Sequence, residues 1–417
     1  MNHDTVVIGA GLAGLTAALR LADEGRRVLV VARGVGAMHL APATIDVLGF
    51  AGERVEHPAQ ALPAFVESHP GHPYAGLPVE VIGASIEWLK SRVPALGYRG
   101  GLEANVLLPT AVGVAKPSAL VPETMAGGDL RAGGRFVFVG LKGLKDFYPA
   151  YLADNVGRVA PVSARGIEVA PRLGGEADVS SLGFARRFDE PAFRDAVLRR
   201  LAGLVEPDER VGFPAVLGIR NAGEVWRELE TRLERPVFEV ATLPPSVSGI
   251  RLHEAMTAAL RQAGGRILIG QTVVGAETAR NGRVEGVVVQ AAARPTTYRA
   301  RSFVLASGGL AAGGIQVDSY GKIREAVFDL ALAGVPVAEG RPPFLPTYLE
   351  EQPLDRVGVA VDDRLRPIDA DGRPRYENLH TAGAALAGAV PWQESSGNGL
   401  SLATGYAAAR AILEGES

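Results

Sequence analysis

Two histidines and two arginines in this 417-residue sequence have side chains that could do acid–base chemistry on an anionic substrate. A neutral imidazole at His39 or His253 could accept a proton from a substrate hydroxyl, because histidine titrates near neutral pH. The guanidinium groups of Arg251 and Arg324 could bind a phosphate or a carboxylate through paired hydrogen bonds. These four residues are the candidates for catalysis, and for each of them a purely structural role is the alternative.

The elements that must position such residues begin with a glycine turn near the N-terminus. Within residues 5–31 an apolar stretch, three glycines, an apolar helix and a second apolar stretch follow one another. In this order Gly9 allows the bend, Gly11 lets the backbone approach a pyrophosphate, and Gly14 lets the helix pack on the strand. The N–H groups at the helix start would face the phosphates. The residues expected to contact a dinucleotide here are Gly9, Gly11, Leu12, Ala13 and Gly14.

The end of the second strand departs from this pattern. An acidic residue about 20 positions after the glycines normally binds the adenosine ribose, but the sequence has Ala32 and Arg33, followed by Gly34. Arg33 could meet a phosphate, which would suggest NADP, or it could be solvated. The loop that follows carries His39, Thr44 and Asp46 and is expected to run towards the reactive end of the cofactor; a turn that satisfies its own backbone is the alternative.

Two further glycine-rich turns resemble the cofactor contacts of two-dinucleotide-fold flavoproteins. A buried strand ends at Ser307 and Gly308, and another apolar strand runs to Gly383. The last helix is predicted over 400–413, with free N–H groups at its start that would stabilise a reduced flavin. A structural cap is the alternative there. The contacts expected at this helix start are Gly397, Asn398, Gly399 and Leu400.

Composition excludes several classes of protein. A hydrophobic fraction of 47%, a charged fraction of 21% and a net charge of −3 indicate a globular protein that is not a nonspecific nucleic-acid binder. The sequence has no cysteine, which excludes disulfides, cysteine-ligated iron–sulfur clusters and a cysteinyl flavin link. His57, His69 and His72 lack the spacing of a metal site. With no signal peptide or membrane span recognised, a cytoplasmic location is expected.

The pattern of strands and helices predicts an α/β fold with two lobes. Residues 1–125 and 236–417 are expected to form a Rossmann-like FAD-binding domain of the two-dinucleotide-fold type. Residues 126–235 change in character, with strands expected in 160–173 and 211–219 and amphipathic helices in 190–204 and 223–233. We interpret this stretch as an inserted α+β cap that covers the cofactor.

Several motifs together resemble the B-subunit family of the anaerobic glycerol-3-phosphate dehydrogenase, within the FAD-dependent oxidoreductases related to fumarate reductase. The most specific is Pro-Pro-Ser-Val-Ser-Gly-Ile-Arg-Leu at 244–252. The likeness extends over nearly the whole chain. The other matching segments are the loop from His39 to Asp46, His72-Pro-Tyr74, Lys116-Pro117, Val139-Gly140, Leu305-Ala-Ser-Gly308 and Ile323-Arg-Glu325. The sequence departs from the family pattern at 41–44 and at 395–399, within the presumed cofactor loops.

This resemblance implies a flavin-dependent oxidation of glycerol 3-phosphate to dihydroxyacetone phosphate. It also implies an A-type flavoprotein subunit and an iron–sulfur, membrane-anchored subunit that passes electrons to quinone, which would place the chain at the cytoplasmic face of the membrane. FMN is commonly assigned to the family, but the turn at Gly9–Gly14 is suited to a pyrophosphate, so the sequence favours noncovalent FAD. The alternatives are a non-catalytic flavin subunit that relays electrons or stabilises a partner, and a reductase that uses NADP.

Overall fold

The computed structural model describes residues 3–171, 176–290, 294–336, 344–347 and 349–415. The strands in these ranges are β1 (Thr5–Ile8), β2 (Val28–Ala32), β3 (Phe50–Ala51), β4 (Glu53–Arg54), β5 (Arg99–Gly100), β6 (Val106–Pro109), β7 (Ala115–Ser118), β8 (Leu120–Val121), β9 (Gly134–Leu141), β10 (Val162–Val169), β11 (Glu209–Pro214), β12 (Val237–Val240), β13 (Arg266–Ile269), β14 (Thr272–Ala279), β15 (Arg283–Gln290), β16 (Thr296–Arg299), β17 (Ser302–Leu305), β18 (Ile315–Val317), β19 (Ile323–Glu325), β20 (Leu332–Ala333), β21 (Gly358–Val359) and β22 (Leu379–Thr381). The α-helices are α1 (Leu12–Asp23), α2 (Pro58–Ser68), α3 (Val79–Arg92), α4 (Glu123–Ala126), α5 (Pro149–Val159), α6 (Ser181–Phe188), α7 (Pro191–Leu201), α8 (Ala222–Leu233), α9 (Val247–Gln262), α10 (Pro391–Glu394) and α11 (Gly397–Gly415).

A parallel five-stranded sheet in the order β13-β2-β1-β17-β22 forms the centre of the first lobe. Its inner strands β1, β2 and β17 are buried along their whole length, which explains why they read as continuous runs of Val, Ile and Leu. Helices α1, α9 and α11 pack on one face of this sheet. The antiparallel sheet β14-β15-β16 shares a second apolar core with its other face. This is the α/β fold that the sequence predicts.

The second lobe has its own sheet, in the order β10-β9-β11-β12, and all of its strand pairs are parallel. Its core is rich in phenylalanine, with Phe136, Phe138 and Phe238 in mutual ring contact. The strands and helices expected in 160–173, 211–219, 190–204 and 223–233 correspond to β10, β11, α7 and α8. Because β12 pairs with β11 beyond residue 235, we propose that this lobe extends to residue 240.

His380 of β22 is a buried histidine whose protonation we expect to weaken the fold. Burial, helped by Arg364, lowers the pKa of His380 to about 4, and its Nδ1 has no hydrogen-bond partner among the described residues. The unfolded chain therefore takes up a proton near the ordinary histidine pKa, before the folded chain does, and stability is lost as the pH falls from about 6.5 to 4. We expect this one group to account for about 3 kcal/mol of the loss.

Denaturant unfolding at a series of pH values measures this effect. A His380→Phe variant should lose part of the slope of unfolding free energy against pH in that window. Identical slopes in the wild type and His380→Phe would contradict the assignment.

Candidate active site and cofactor cradle

The first glycine turn has the geometry that the sequence predicts. Gly9 has φ of +113°, and a Cβ there would lie 2.1 Å from the Ala306 carbonyl oxygen. A Cβ on Gly14 would lie 2.0 Å from the Gly9 carbonyl oxygen, so α1 can approach β1 only because residue 14 is a glycine. A Cβ placed on Gly11 would have no atom of the described residues within 4 Å. Two glycines are therefore needed for packing, while the third leaves open space in front of the start of α1, where Leu12 and Ala13 begin the helix.

The other two turns converge on the first. The backbone nitrogen of Ser307 is 3.3 Å from the Cβ position of Gly9, and the Ser307 Oγ is buried without a hydrogen-bond partner. Gly308 follows with φ of +79°. A Cβ on Gly383 would lie 2.8 Å from the Ala13 Cβ. The Ser307 hydroxyl lies 2.6 Å from the Cβ position of Gly314, and a buried hydroxyl that is left unpaired is able to bind a polar ligand.

Arg33 lies at the carboxyl end of β2 and points across to the loop that follows Gly308. Its guanidinium donates to the Ala312 carbonyl at 3.0 Å, and the Cβ position of Gly313 is 3.2 Å from its Nη2. The adjoining Gly34 has open space at its Cβ position. This contact gives Arg33 a structural role in holding the loop, beside the phosphate-binding role that the NADP alternative requires of it.

His39 and His253, which are 214 residues apart in the sequence, form a pair. The His39 Nε2 is 3.3 Å from the His253 Nδ1, with the ring planes at 81° to each other. Both residues are partly buried. Burial lowers the pKa of His39, against the raising effect of Glu254, and burial, His39 and Arg261 lower the pKa of His253 to about 4. Both rings are therefore neutral at pH 7 and able to accept a proton.

The motif at 244–252 holds this pair together. Ser246 donates its backbone N–H to the His39 carbonyl at 2.8 Å and caps α9 by accepting from the Gly249 N–H. Ser248 accepts from the Ala43 N–H at 3.3 Å. A Cβ on Gly249 would lie 2.0 Å from the Met38 carbonyl oxygen, so α9 lies directly against the loop. The motif therefore fixes the His39 loop on the helix that carries His253.

The far end of the same loop forms a charged network that includes Thr44. Lys116 Nζ donates to the Asp46 Oδ2 at 2.5 Å and to the Thr44 Oγ1 at 2.8 Å, and Ser118 Oγ donates to the Asp46 Oδ1 at 2.6 Å. The Asp46 side chain is nearly buried, whereas a quarter of the Lys116 side chain is exposed. The sequence identified Thr44 and Asp46 on the loop, but not Ser118, which comes from β7.

The start of α11 differs from the prediction. The helix begins at Gly397, three residues before the predicted start, and its Asn398 side chain donates to the Pro42 and Thr44 carbonyls. The Gly399 N–H donates to the Asp46 carbonyl at 3.0 Å and the Leu400 N–H to the Ser396 carbonyl at 2.8 Å. Two of the backbone N–H groups expected to face a flavin, and the Asn398 amide, are thus used within the protein. Close packing requires Gly399, because a Cβ there would lie 2.5 Å from the Asp46 carbonyl oxygen.

A buried carboxylate lies just before α11. Glu394 accepts from the Val390 N–H at 2.7 Å, from the Ser396 hydroxyl at 2.7 Å and from the His72 Nε2 at 3.2 Å. Because His72 Nδ1 accepts from the Tyr74 N–H, its proton must sit on Nε2. Burial raises the pKa of Glu394, but these donors outweigh it and hold the pKa below its ordinary value. No sequence spacing joins His72 to Glu394, so only the fold reveals this cluster.

The two arginines expected to clamp an anion are both engaged elsewhere. Arg251 is 6% exposed, forms two hydrogen bonds to Glu239 at 2.6 and 2.9 Å, and donates twice to the Gly218 carbonyl. This buried ion pair joins α9 to β12 and leaves the guanidinium little capacity for a substrate. Arg324 is an exposed residue of β19 that donates to the Gln316 side chain at 2.6 Å. The structure brings neither of them to the histidine pair.

Comparison with known proteins identifies the family. The model of the FAD binding domain family matches residues 4–400. A protein of Halobacterium salinarum, named as a probable B subunit of the anaerobic glycerol-3-phosphate dehydrogenase, is 34% identical over 99% of this chain and 98% of its own length. The corresponding B subunit of Pectobacterium carotovorum is 30% identical over 99% of both chains. The chain belongs to this FAD-binding B-subunit family.

Among solved structures, this member of the B-subunit family resembles the 3-ketosteroid delta1-dehydrogenase of Sterolibacterium denitrificans, in complex with 1,4-androstadiene-3,17-dione. The TM-score is 0.49 and the sequence identity 12%, with all of both chains covered. Within the described ranges of residues, no helix of the chain is both long and apolar enough to cross a membrane. In the same ranges, no three histidine, aspartate or glutamate side chains are grouped so that they could hold a metal ion.

FAD is the cofactor of this chain, and the geometry of the cradle fits it. The open space at Gly11 admits the pyrophosphate, and the adjoining turn carries the buried Ser307 hydroxyl, which is able to bind a polar ligand. FMN has no pyrophosphate and would leave the turn without its usual ligand. Since the sequence has no cysteine, no thioether link to the flavin can form.

Proposed function

We propose that this chain is an FAD-dependent dehydrogenase that oxidises glycerol 3-phosphate to dihydroxyacetone phosphate as one component of a larger enzyme. The observation that carries the proposal is the pair His39–His253, held at 3.3 Å by the motif most specific to the family. The full-length similarity to proteins named as B subunits of the anaerobic glycerol-3-phosphate dehydrogenase supports the substrate.

The reaction removes two hydrogens from a secondary alcohol. The hydroxyl proton goes to the histidine pair, whose low pKa values keep it unprotonated at neutral pH. Bound FAD would supply the acceptor for the hydride, the hydrogen that leaves the carbon together with its bonding electron pair. The loop 36–46, fixed by α9 at one end and by Asn398 at the other, holds His39 in place during this step.

The electrons must then leave the chain. Without cysteine the sequence offers no thiolates to ligate an iron–sulfur cluster, which supports a relay in a partner. We propose an A-type flavoprotein and an iron–sulfur protein at the membrane as partner subunits, quinone as the final acceptor, and a location at the cytoplasmic face of the membrane. The naming of the relatives as B subunits supports such an assembly.

Glycerol 3-phosphate-dependent dye reduction tests the proposal. The chain is assayed alone, with a co-expressed A-type flavoprotein, and with that flavoprotein and a Gly11→Val form of the chain. We expect turnover in the first or second preparation and loss of turnover in the third. Equal turnover in the second and third would show that the chain is non-catalytic, and reduction of the FAD by NADPH but not by glycerol 3-phosphate would establish the NADP alternative.

A further inference from the structure

The two rings of the histidine pair present different nitrogens to each other. His39 uses Nε2 and His253 uses Nδ1, so the Nδ1 of His39 and the Nε2 of His253 point away from the contact. Within the described ranges neither of these outer nitrogens has a hydrogen-bond partner. One proton lies between the rings, and its position decides which outer nitrogen carries a lone pair.

The surroundings favour a positive charge on His39 once the pair has taken up a proton. His253 belongs to α9, is the more deeply buried of the two rings, and has Arg261 on the same helix, all of which oppose a positive charge on it. His39 belongs to the short turn Gly36–His39 and faces Glu254 of α9, which favours a positive charge. In the protonated pair His39 therefore carries the charge, and its Nε2–H donates to a neutral His253 whose own proton is on Nε2. Uptake of the proton at the His39 Nδ1, with no other proton moving, requires the same donor and acceptor in the neutral pair.

We propose that His253 is a positioning residue that fixes the tautomer of His39, so that the His39 Nδ1 is the atom that takes the substrate's hydroxyl proton. This inference rests on the proposed function and specifies its base. When the proton arrives at Nδ1, His39 becomes an imidazolium whose Nε2–H still donates to the neutral His253. The charge is thus stabilised by a hydrogen bond that exists before the reaction, and no side chain needs to move.

Three substitutions at one position test this assignment in the FAD-loaded complex. His253→Asn offers an amide oxygen near the place of Nδ1, His253→Leu removes the acceptor, and His253→Asp adds a negative charge to it. The measurement is kcat/KM for glycerol 3-phosphate against pH, in which the acid limb reports protonation of the base. Thermal unfolding of each variant establishes that it is folded.

We expect the Asn variant to keep the wild-type acid limb. The Asp variant should move the limb to higher pH by about one unit or more, because a carboxylate beside His39 raises its pKa. The Leu variant should move it to lower pH and reduce kcat/KM about tenfold, as for one lost hydrogen bond. His39→Gln should reduce kcat/KM by about 10²- to 10⁴-fold. His57→Gln, on the surface, serves as the histidine control.

If the role of His253 were purely structural, the acid limb of the kcat/KM profile would not shift in opposite directions in the His253→Asp and His253→Leu variants. Shifts of the same sign, or no shift in either, would overturn the proposal. Nitrogen-15 NMR of the histidine rings in the FAD-loaded chain without substrate gives an answer that does not need turnover. A proton on the His39 Nε2 supports the assignment and a proton on Nδ1 overturns it, even if glycerol 3-phosphate proves not to be the substrate.

Discussion

A Gly11→Val chain is expected to fold like the wild type and to purify without FAD. Gly11 has φ of −75° and ψ of −178°, an extended conformation that valine adopts readily. Its Cβ would meet no atom of the described residues within 4 Å, which leaves room for a larger side chain in the fold. The same open space is where the pyrophosphate approaches the backbone, and the branched side chain would occupy it.

The flavin absorbance of the purified Gly11→Val chain measures how much FAD it has bound. Its thermal unfolding measures whether the fold is as stable as the wild type. Gly275→Val on β14 is the matched control, because its Cβ position is also open and lies outside the glycine turns; it should keep both FAD and stability. Gly14→Val should lose both, since its Cβ would lie 2.0 Å from the Gly9 carbonyl oxygen. A Gly11→Val chain with full FAD occupancy would show that the pyrophosphate lies elsewhere.

Arg251→Leu is expected to lower the free energy of unfolding by about 3 to 5 kcal/mol, because it leaves a buried carboxylate without its cation. In the variant Glu239 would keep only the Thr124 hydroxyl, at 2.8 Å, and the Leu217 N–H, at 2.8 Å. The Gly218 carbonyl would lose both of its guanidinium donors. Leucine is a good helix former, so α9 itself is not the cause of the loss.

Denaturant unfolding of three variants separates this ion pair from other effects. Arg158→Leu breaks an exposed pair with Asp154 on α5 and should cost less than about 1 kcal/mol. Adding Glu239→Gln to Arg251→Leu removes the unpaired charge while keeping a polar group for Thr124, and should recover part of the loss. A cost below about 1 kcal/mol for Arg251→Leu alone would contradict the role given to the pair.

The sequence predicts the first glycine turn and the central sheet correctly because their determinants are local. Gly9, Gly11 and Gly14 occur within one strand–turn–helix unit, and the strands buried on both faces are continuous apolar runs. The second lobe shows the limit of this approach: its helices and strands could be located, but their parallel pairing depends on contacts that no short segment encodes.

Site residues were harder to predict, since their roles depend on partners far along the chain. The sequence predicts His39 and His253 each as a candidate base, but it does not indicate that two residues 214 positions apart form a pair. Arg251 looks like an anion ligand until Glu239 is found opposite it. Asn398 carries an amide that could bind a flavin, yet it supports the Pro42 and Thr44 carbonyls instead. Nothing in the sequence except the residue types indicates that Glu394 and His72 form a cluster, because they are 322 residues apart.

The strand order of the first lobe has a consequence for synthesis on the ribosome. Thr5 of β1 bonds to Ser302 of β17, 297 residues later, whereas every strand of the second lobe's sheet lies within 134–240. At a translation rate of about 5 to 20 residues per second, β17 is synthesised roughly 15 to 60 s after β1, with which it pairs. The second lobe therefore has all its strands while β1 still exposes an apolar edge, so this edge is the part of the first lobe's sheet most open to wrong pairing during synthesis.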